Sequence, residues 1–180
     1  MRKVLLAASL LAVTPAAASA ASFYERYIFG PDGIPPCHAR TYTAEHLAAH
    51  PKQKVTRFFV VRSDMDDGGP RRFEVGFGFR LTGSPDVFAA TAGCVARGDG
   101  AACTVEGDGG GFTLAPRPDG LLVSVDERLE VEGVEGFSPD LHDSDDRAFR
   151  LYVSPPEACL FDTFGGDGFE PLTPSIARPG

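Results

Sequence analysis

Over residues 72–81 the chain alternates without a break. Phe73, Val75, Phe77, Phe79 and Leu81 fall on one side, and Arg72, Glu74, Gly76, Gly78 and Arg80 on the other. A period of two is that of a strand with one buried face; a helix would spread these side chains around its whole circumference. The two outer glycines weaken a strand and point to a bend or to close approach of a neighbour. Residues 55–61 (VTRFFVV) are β-branched and aromatic, apolar on both faces toward their end, and predict a central strand. Leu121, Val123 and Val125, then Leu129 and Val131, resume the alternation after a turn at 116–120 (PRPDG). Residues 147–153 predict a last strand with Phe149, Leu151 and Val153 inward. Phe23, Tyr24, Tyr27, Ile28 and Phe29 suggest a short first strand, ended by the glycines and prolines of 30–36. One short helix is predicted over 44–50, with Thr43 as its cap, Glu45 in its first turn and Pro51 as its stop.

Residues 71–115 read as consecutive antiparallel strands, and two cysteines fix the register within them. Gly98-Asp99 lies midway between Cys94 and Cys103. A two-residue hairpin loop there closes on Arg97 and Gly100 and places Ala96 opposite Ala101, Val95 opposite Ala102 and Cys94 opposite Cys103. The cysteines then meet at a non-hydrogen-bonded pair, with Cα atoms about 4.5 Å apart, at the short end of what a disulfide spans. The glycine-rich 107–111 is followed by the strand-like Phe112-Thr113-Leu114, so it reads as a hairpin turn; a phosphate cradle needs a helix after it. Together these patterns predict an all-β fold, an antiparallel meander of about eight strands forming a small barrel or sandwich.

Residues 1–20 have the layout of a secretory signal peptide: Arg2 and Lys3, an apolar run over 4–13, and the small-x-small site Ala18-Ser19-Ala20. The apolar run is too short to span a bilayer and no second one follows. This predicts a periplasmic or secreted protein with one β-rich domain over 21–161. The glycine- and proline-rich 162–180 is expected to be a disordered tail. In an exported chain the four cysteines favour two disulfides, and a Cys94–Cys103 pair leaves Cys37 to Cys159. The other two connectivities stay open, as does a zinc site, although no CxxC pair is present.

Charge narrows the partners. Loss of Arg2 and Lys3 with the leader takes the net charge from −8 to −10. Nucleic acid and anionic lipid need a basic surface and are poor partners for such a chain. Residues 40–80 hold eight Lys/Arg and five Asp/Glu, whereas 99–170 hold four and seventeen. That asymmetry suits either a partner with a basic patch or a solvated acidic face.

His46 and His50 share one face of the predicted helix, the spacing that zinc-binding helices use, with His38 as a candidate third metal ligand. Leu47 stands where a zinc peptidase of the HExxH type carries its general base, so peptidase chemistry is not indicated. The acidic stretch 63–70 lacks EF-hand spacing and reads as a polar turn. Residues 133–146 form a long acidic loop in which Asp140, Asp143, Asp145 and Asp146, near His142, are candidates for a hard cation or for contact with a partner. No serine sits on a nucleophile elbow, and the carboxylates are too many to nominate a catalytic pair.

Three segments carry a resemblance: 46–56 (HLAAHPKQKVT), 93–112 with its two cysteines and Asp108-Gly-Gly-Gly-Phe112, and 145–151 (DDRAFRL). They resemble a group of small uncharacterised exported proteins of alphaproteobacteria. The resemblance covers about a quarter of the mature chain and implies a fold held by turns and a disulfide; it brings no activity and no cofactor. Gly107 stands where that group often carries a further cysteine. Three functions therefore stay open: a non-enzymatic binding or interaction module for a protein or small molecule, an inhibitor of a basic periplasmic hydrolase such as lysozyme acting through 133–146, and a metal-binding protein using His38, His46 and His50.

Overall fold

The structure, a computed structural model, describes residues 21–160. The expected leader and tail lie outside the described residues. Eight strands, β1 (Cys37–Thr41), β2 (Val55–Arg62), β3 (Arg72–Leu81), β4 (Val87–Arg97), β5 (Gly100–Val105), β6 (Gly110–Arg117), β7 (Gly120–Leu129) and β8 (Ala148–Ser154), form a closed antiparallel barrel. Each strand pairs with its sequence neighbours, and β1 with β8 closes the sheet. Each of these eight strands is paired on both sides, so none is an edge strand of the sheet.

The alternation of β3 becomes the lining of that barrel. Phe73, Val75, Phe77, Phe79 and Leu81 are all buried. Phe58 of β2 stacks on Phe149 of β8 at 4.4 Å between ring centroids, and Phe77 meets Phe112 of β6 edge-on at 5.0 Å. Leu114, Leu121, Val123 and Leu151 complete the interior. The barrel is thus a packed core filled with phenylalanine. Gly76 and Gly78 are themselves buried, flanked in register by Val61 and Thr91, and by Phe59 and Ala89.

The cysteine hairpin has the expected register, Arg97 with Gly100 through Cys94 with Cys103, and the disulfide joins Cα atoms 4.0 Å apart. The second disulfide joins Cys37 to Cys159. It pins the 3-10 turn Pro156–Cys159 over the outside of β1 and β2, where Ala39, Phe59 and Val61 form a second, smaller cluster. Arg57 adds a clamp, its Nη2 donating to the carbonyls of Ala158 at 2.6 Å and Leu160 at 3.2 Å.

Four expectations need correction. The aromatic stretch before Gly30 is not a strand but a single π-helical turn, Glu25–Phe29. Tyr24, which caps the turn, and Ile28 within it are both buried and four apart, and Phe23 stacks on Tyr27 at 5.2 Å, which is the helical period. The first strand is instead 37–41 (CHART), whose outward Cys37 and Ala39 are buried under the C-terminal turn, so the polarity alternation is lost. Pro116 belongs to β6 opposite Leu121 rather than to the turn, which shrinks to 118–119. Val153 is 63 % exposed, whereas Phe149 and Leu151 are buried. The predicted helix is α1 (Ala44–Ala49), with Thr43 Oγ1 accepting from His46 N.

Candidate interaction face

The connection from β7 to β8 lies outside the barrel strands and carries the two most exposed large apolar side chains among the described residues. Leu129, Val131 and Leu141 bury themselves and hold its two ends. Ser138 Oγ accepts from Val131 N, Asp140 Oδ1 accepts from Leu129 N and His142 N, and Asp86 Oδ2 accepts from Glu135 N. Between these ties Glu132 and Phe137 form an isolated bridge, and Gly133 N donates to Gly136 O at 2.7 Å. The result is a tight turn with Val134 70 % and Phe137 71 % exposed. Large apolar side chains held outward on an anchored turn are costly to hydrate and mark contact surfaces when they cluster.

A cleft lies on each side of Phe137. One, of about 770 Å³, runs between β4 and the 106–109 turn and carries Glu106, Asp108, Glu130 and Glu132 against Arg128. Arg128 is itself ion-paired with Glu130. The other, of about 590 Å³, lies beside the 81–86 turn and carries Asp86, Glu135, Asp140 and Asp143 against Lys54. Both are acidic. The glycine-rich turn closes the first cleft through backbone approach: Gly110 has φ 82°, and a Cβ there would lie 2.0 Å from the Arg128 carbonyl oxygen. Strand β6 follows this turn directly, so no helix end is present to receive phosphate.

The candidate aspartates divide in two. Asp146, 1 % exposed, accepts from Lys54 N at 2.7 Å, Val55 N at 3.1 Å and Ser144 Oγ at 2.8 Å, tying the loop to the start of β2. Asp140 caps the 3-10 turn Leu141–Asp143. These two are occupied by the fold, while Asp143 and Asp145 are exposed. The same holds for the acidic turn 63–70. Asp66 accepts from Tyr24 Oη, Arg62 Nε, Gly68 N and Glu74 N. Burial alone would raise its proton affinity, but these four donors hold it below the usual carboxylate range.

The three candidate histidines are not brought together. His38 lies inside one end of the barrel, Nε2 donating to the Tyr27 carbonyl at 2.8 Å. His46 and His50 stack at 4.2 Å on α1; His46 Nε2 donates to Gln53 Oε1, and His50 Nδ1 donates to the His46 carbonyl. Among the described residues no three His, Cys, Asp or Glu side chains converge as a metal site would require. This sets aside His38/His46/His50 as one ligand set, and likewise the loop aspartates with His142, whose Nδ1 donates to the Asp126 carbonyl. No family model, no curated protein and no solved structure matches this chain.

Val134 and Phe137 are the residues that reading the sequence passed over. The available signal was two large apolar side chains within residues 132–140, a run otherwise made of Gly, Ser, Pro, Asp and Glu. No helix of the described residues is long and apolar enough to cross a membrane.

Proposed function

We propose that this chain is an exported, non-catalytic interaction module, related to the small alphaproteobacterial proteins it resembles, whose working surface is the face around Phe137. The partner is a protein that presents a basic surface with an apolar pocket. The observation that carries this reading is Phe137, 71 % exposed on an anchored turn, between two clefts whose carboxylates outnumber their cations. An aromatic anchor ringed by charge is the usual anatomy of a binding hot spot, and the charge steers the encounter. The filled barrel supports an outer site over a ligand held in the lumen. Two disulfides suit an oxidising compartment outside the cytoplasm, in keeping with the leader.

The same geometry favours a second reading, inhibition of a basic hydrolase, in which the Phe137 turn enters the enzyme's cleft. The contact residues are then Val134, Glu135, Phe137, Asp143 and Asp145, rather than Asp140 and Asp146. Calorimetric titration against a panel of cationic and anionic exported proteins tests both. We expect a saturable complex with a cationic member that weakens with salt, and a loss of about tenfold or more in affinity with Phe137→Ala. Equal binding of cationic and anionic proteins, or an unaltered affinity for Phe137→Ala, refutes the module. A salt-sensitive complex that leaves hydrolase activity unchanged refutes only the inhibitor reading.

A further inference from the structure

The segment before β1 covers one end of the barrel without joining its sheet. Its backbone bonds close on itself, Arg26 N to Ser22 O, Gly30 N to Glu25 O and Ile34 N to Pro31 O. Aromatic packing seats it: the rings of Tyr24 and Phe23 meet Phe73 at 5.3 and 6.2 Å, and the Arg62 guanidinium lies 5.0 Å over Phe29. Two polar contacts reach the barrel, Tyr24 Oη to Asp66 and His38 Nε2 to the Tyr27 carbonyl.

His38 is 1 % exposed. A carbonyl only accepts, so its ring proton sits on Nε2 and Nδ1 is a bare lone pair. That Nδ1 is buried and, among the described residues, no protein group bonds to it. Among the described residues no charged group is bonded to it. On β1, Arg40 lies over the Tyr42 ring. On β2 the register partner is Val60, while Arg62 is bound to Asp66 and Arg57 to the C-terminal turn. On β8 the partner is Val153, and Arg150 pairs with Asp119. From the covering segment come the Tyr27 ring, at 6.2 Å, and the exposed Glu25 and Arg26.

We propose that His38 makes residues 22–36 an acid-released plug. A second proton on the ring places a donor and a charge at Nδ1, where nothing accepts it, and release of the plug admits water to the ring. Burial lowers the proton affinity of His38, against the smaller opposing effect of the Tyr27 carbonyl. The released state has an ordinary imidazole and binds the proton first. Opening therefore grows as pH falls below about 6.5, by up to about tenfold per pH unit until the buried ring itself titrates. Release uncovers Phe73 and the apolar mouth of the barrel, which neutral pH keeps closed.

Hydrogen exchange of residues 22–36, corrected for intrinsic rates, tests this between about pH 7.5 and 5. In this window Asp66, whose proton affinity is lowered, stays ionised. His38→Gln keeps a donor for the Tyr27 carbonyl and does not titrate. Wild-type protection of the segment should fall by up to about tenfold per pH unit below pH 6.5, and the variant's should stay level. An equal loss in His38→Gln, or none in the wild type, overturns the proposal. Should the variant not fold, NMR titration of the His38 ring in the wild type decides: protonation while the segment stays protected overturns it, and protonation coincident with loss of protection supports it.

Discussion

Asp146→Ala separates a structural role for the acidic loop from a role in binding. Asp146 takes two backbone N–H groups and one hydroxyl, and is 1 % exposed. Truncation leaves the amide of Val55, itself fully buried, without an acceptor. A buried donor stripped of its partner costs about 1–3 kcal/mol, and charge-assisted bonds are worth about 1.5–3 kcal/mol. The Lys54 amide belongs to an exposed residue and regains part of its loss from water. The expected total is about 3 kcal/mol, a fall in melting temperature of roughly 10 °C for a domain of this size. Asp146→Asn keeps one acceptor oxygen and should lose about half as much. Asp143→Ala and Asp145→Ala, at exposed positions, should stay within about 0.5 kcal/mol. Urea unfolding followed by far-ultraviolet circular dichroism, with melting curves beside it, measures all four. A cost below about 1 kcal/mol for Asp146→Ala, or an equal cost for Asp145→Ala, would refute the assignment of Asp146 as a backbone tie.

The two disulfides should differ in value. Cys37–Cys159 spans 122 residues and Cys94–Cys103 spans 9, so chain entropy assigns them about 5 and about 2.5 kcal/mol; paired Cys→Ala variants in denaturant measure the difference, and equal costs would contradict the entropic account. Asp66 should set the acid limit of the fold. Its proton affinity is lowered in the folded state, so its contribution is complete above the unfolded value near pH 4 and is lost as pH falls through the lower folded one. Asp66→Asn should therefore be less stable at neutral pH and lose less on acidification, as pH-dependent melting would show. Phe137→Ala should leave the melting temperature within a degree or two while removing partner affinity, since its side chain is already largely in water.

The strands that face solvent on one side and the core on the other were legible from sequence. In β3 the alternate residues Phe73 to Leu81 are buried as the pattern predicts, with Gly76 and Gly78 buried besides, and in the 94–103 hairpin turn length and cysteine placement agree on one register. β1 was not legible because its outer face is buried by residues more than a hundred positions away in the chain, which removes polarity alternation from CHART. The plug was misread because aromatic residues serve strands and short helical turns alike, and only the pairing of 23 with 27 and 24 with 28 distinguishes them. The candidate site was half legible. Composition marked 133–146 as an acidic surface, but an aspartate bonded to backbone amides and one free in water are the same letter. Asp140, two before His142 at a turn, and Ser144, two before Asp146, carried a local capping pattern that the charge count obscured.

Closure of the sheet by its first and last strands orders the way the chain assembles. Seven of the eight strand pairings join sequence neighbours, and those from β3 to β7 need only short loops to close, so the sheet can grow outward from the 94–103 hairpin. The eighth, β1 with β8, brings together residues more than a hundred apart and gains nothing until the intervening meander has curled round on itself. Cys37 and Cys159 sit beside that last seam, one on β1 and one just past β8. Their oxidation is therefore a chemical record of a completed barrel, whereas oxidation of Cys94 and Cys103 records only a hairpin. A chain oxidised at Cys94 and Cys103 but reduced at Cys37 and Cys159 carries a record of the hairpin alone, not of the seam.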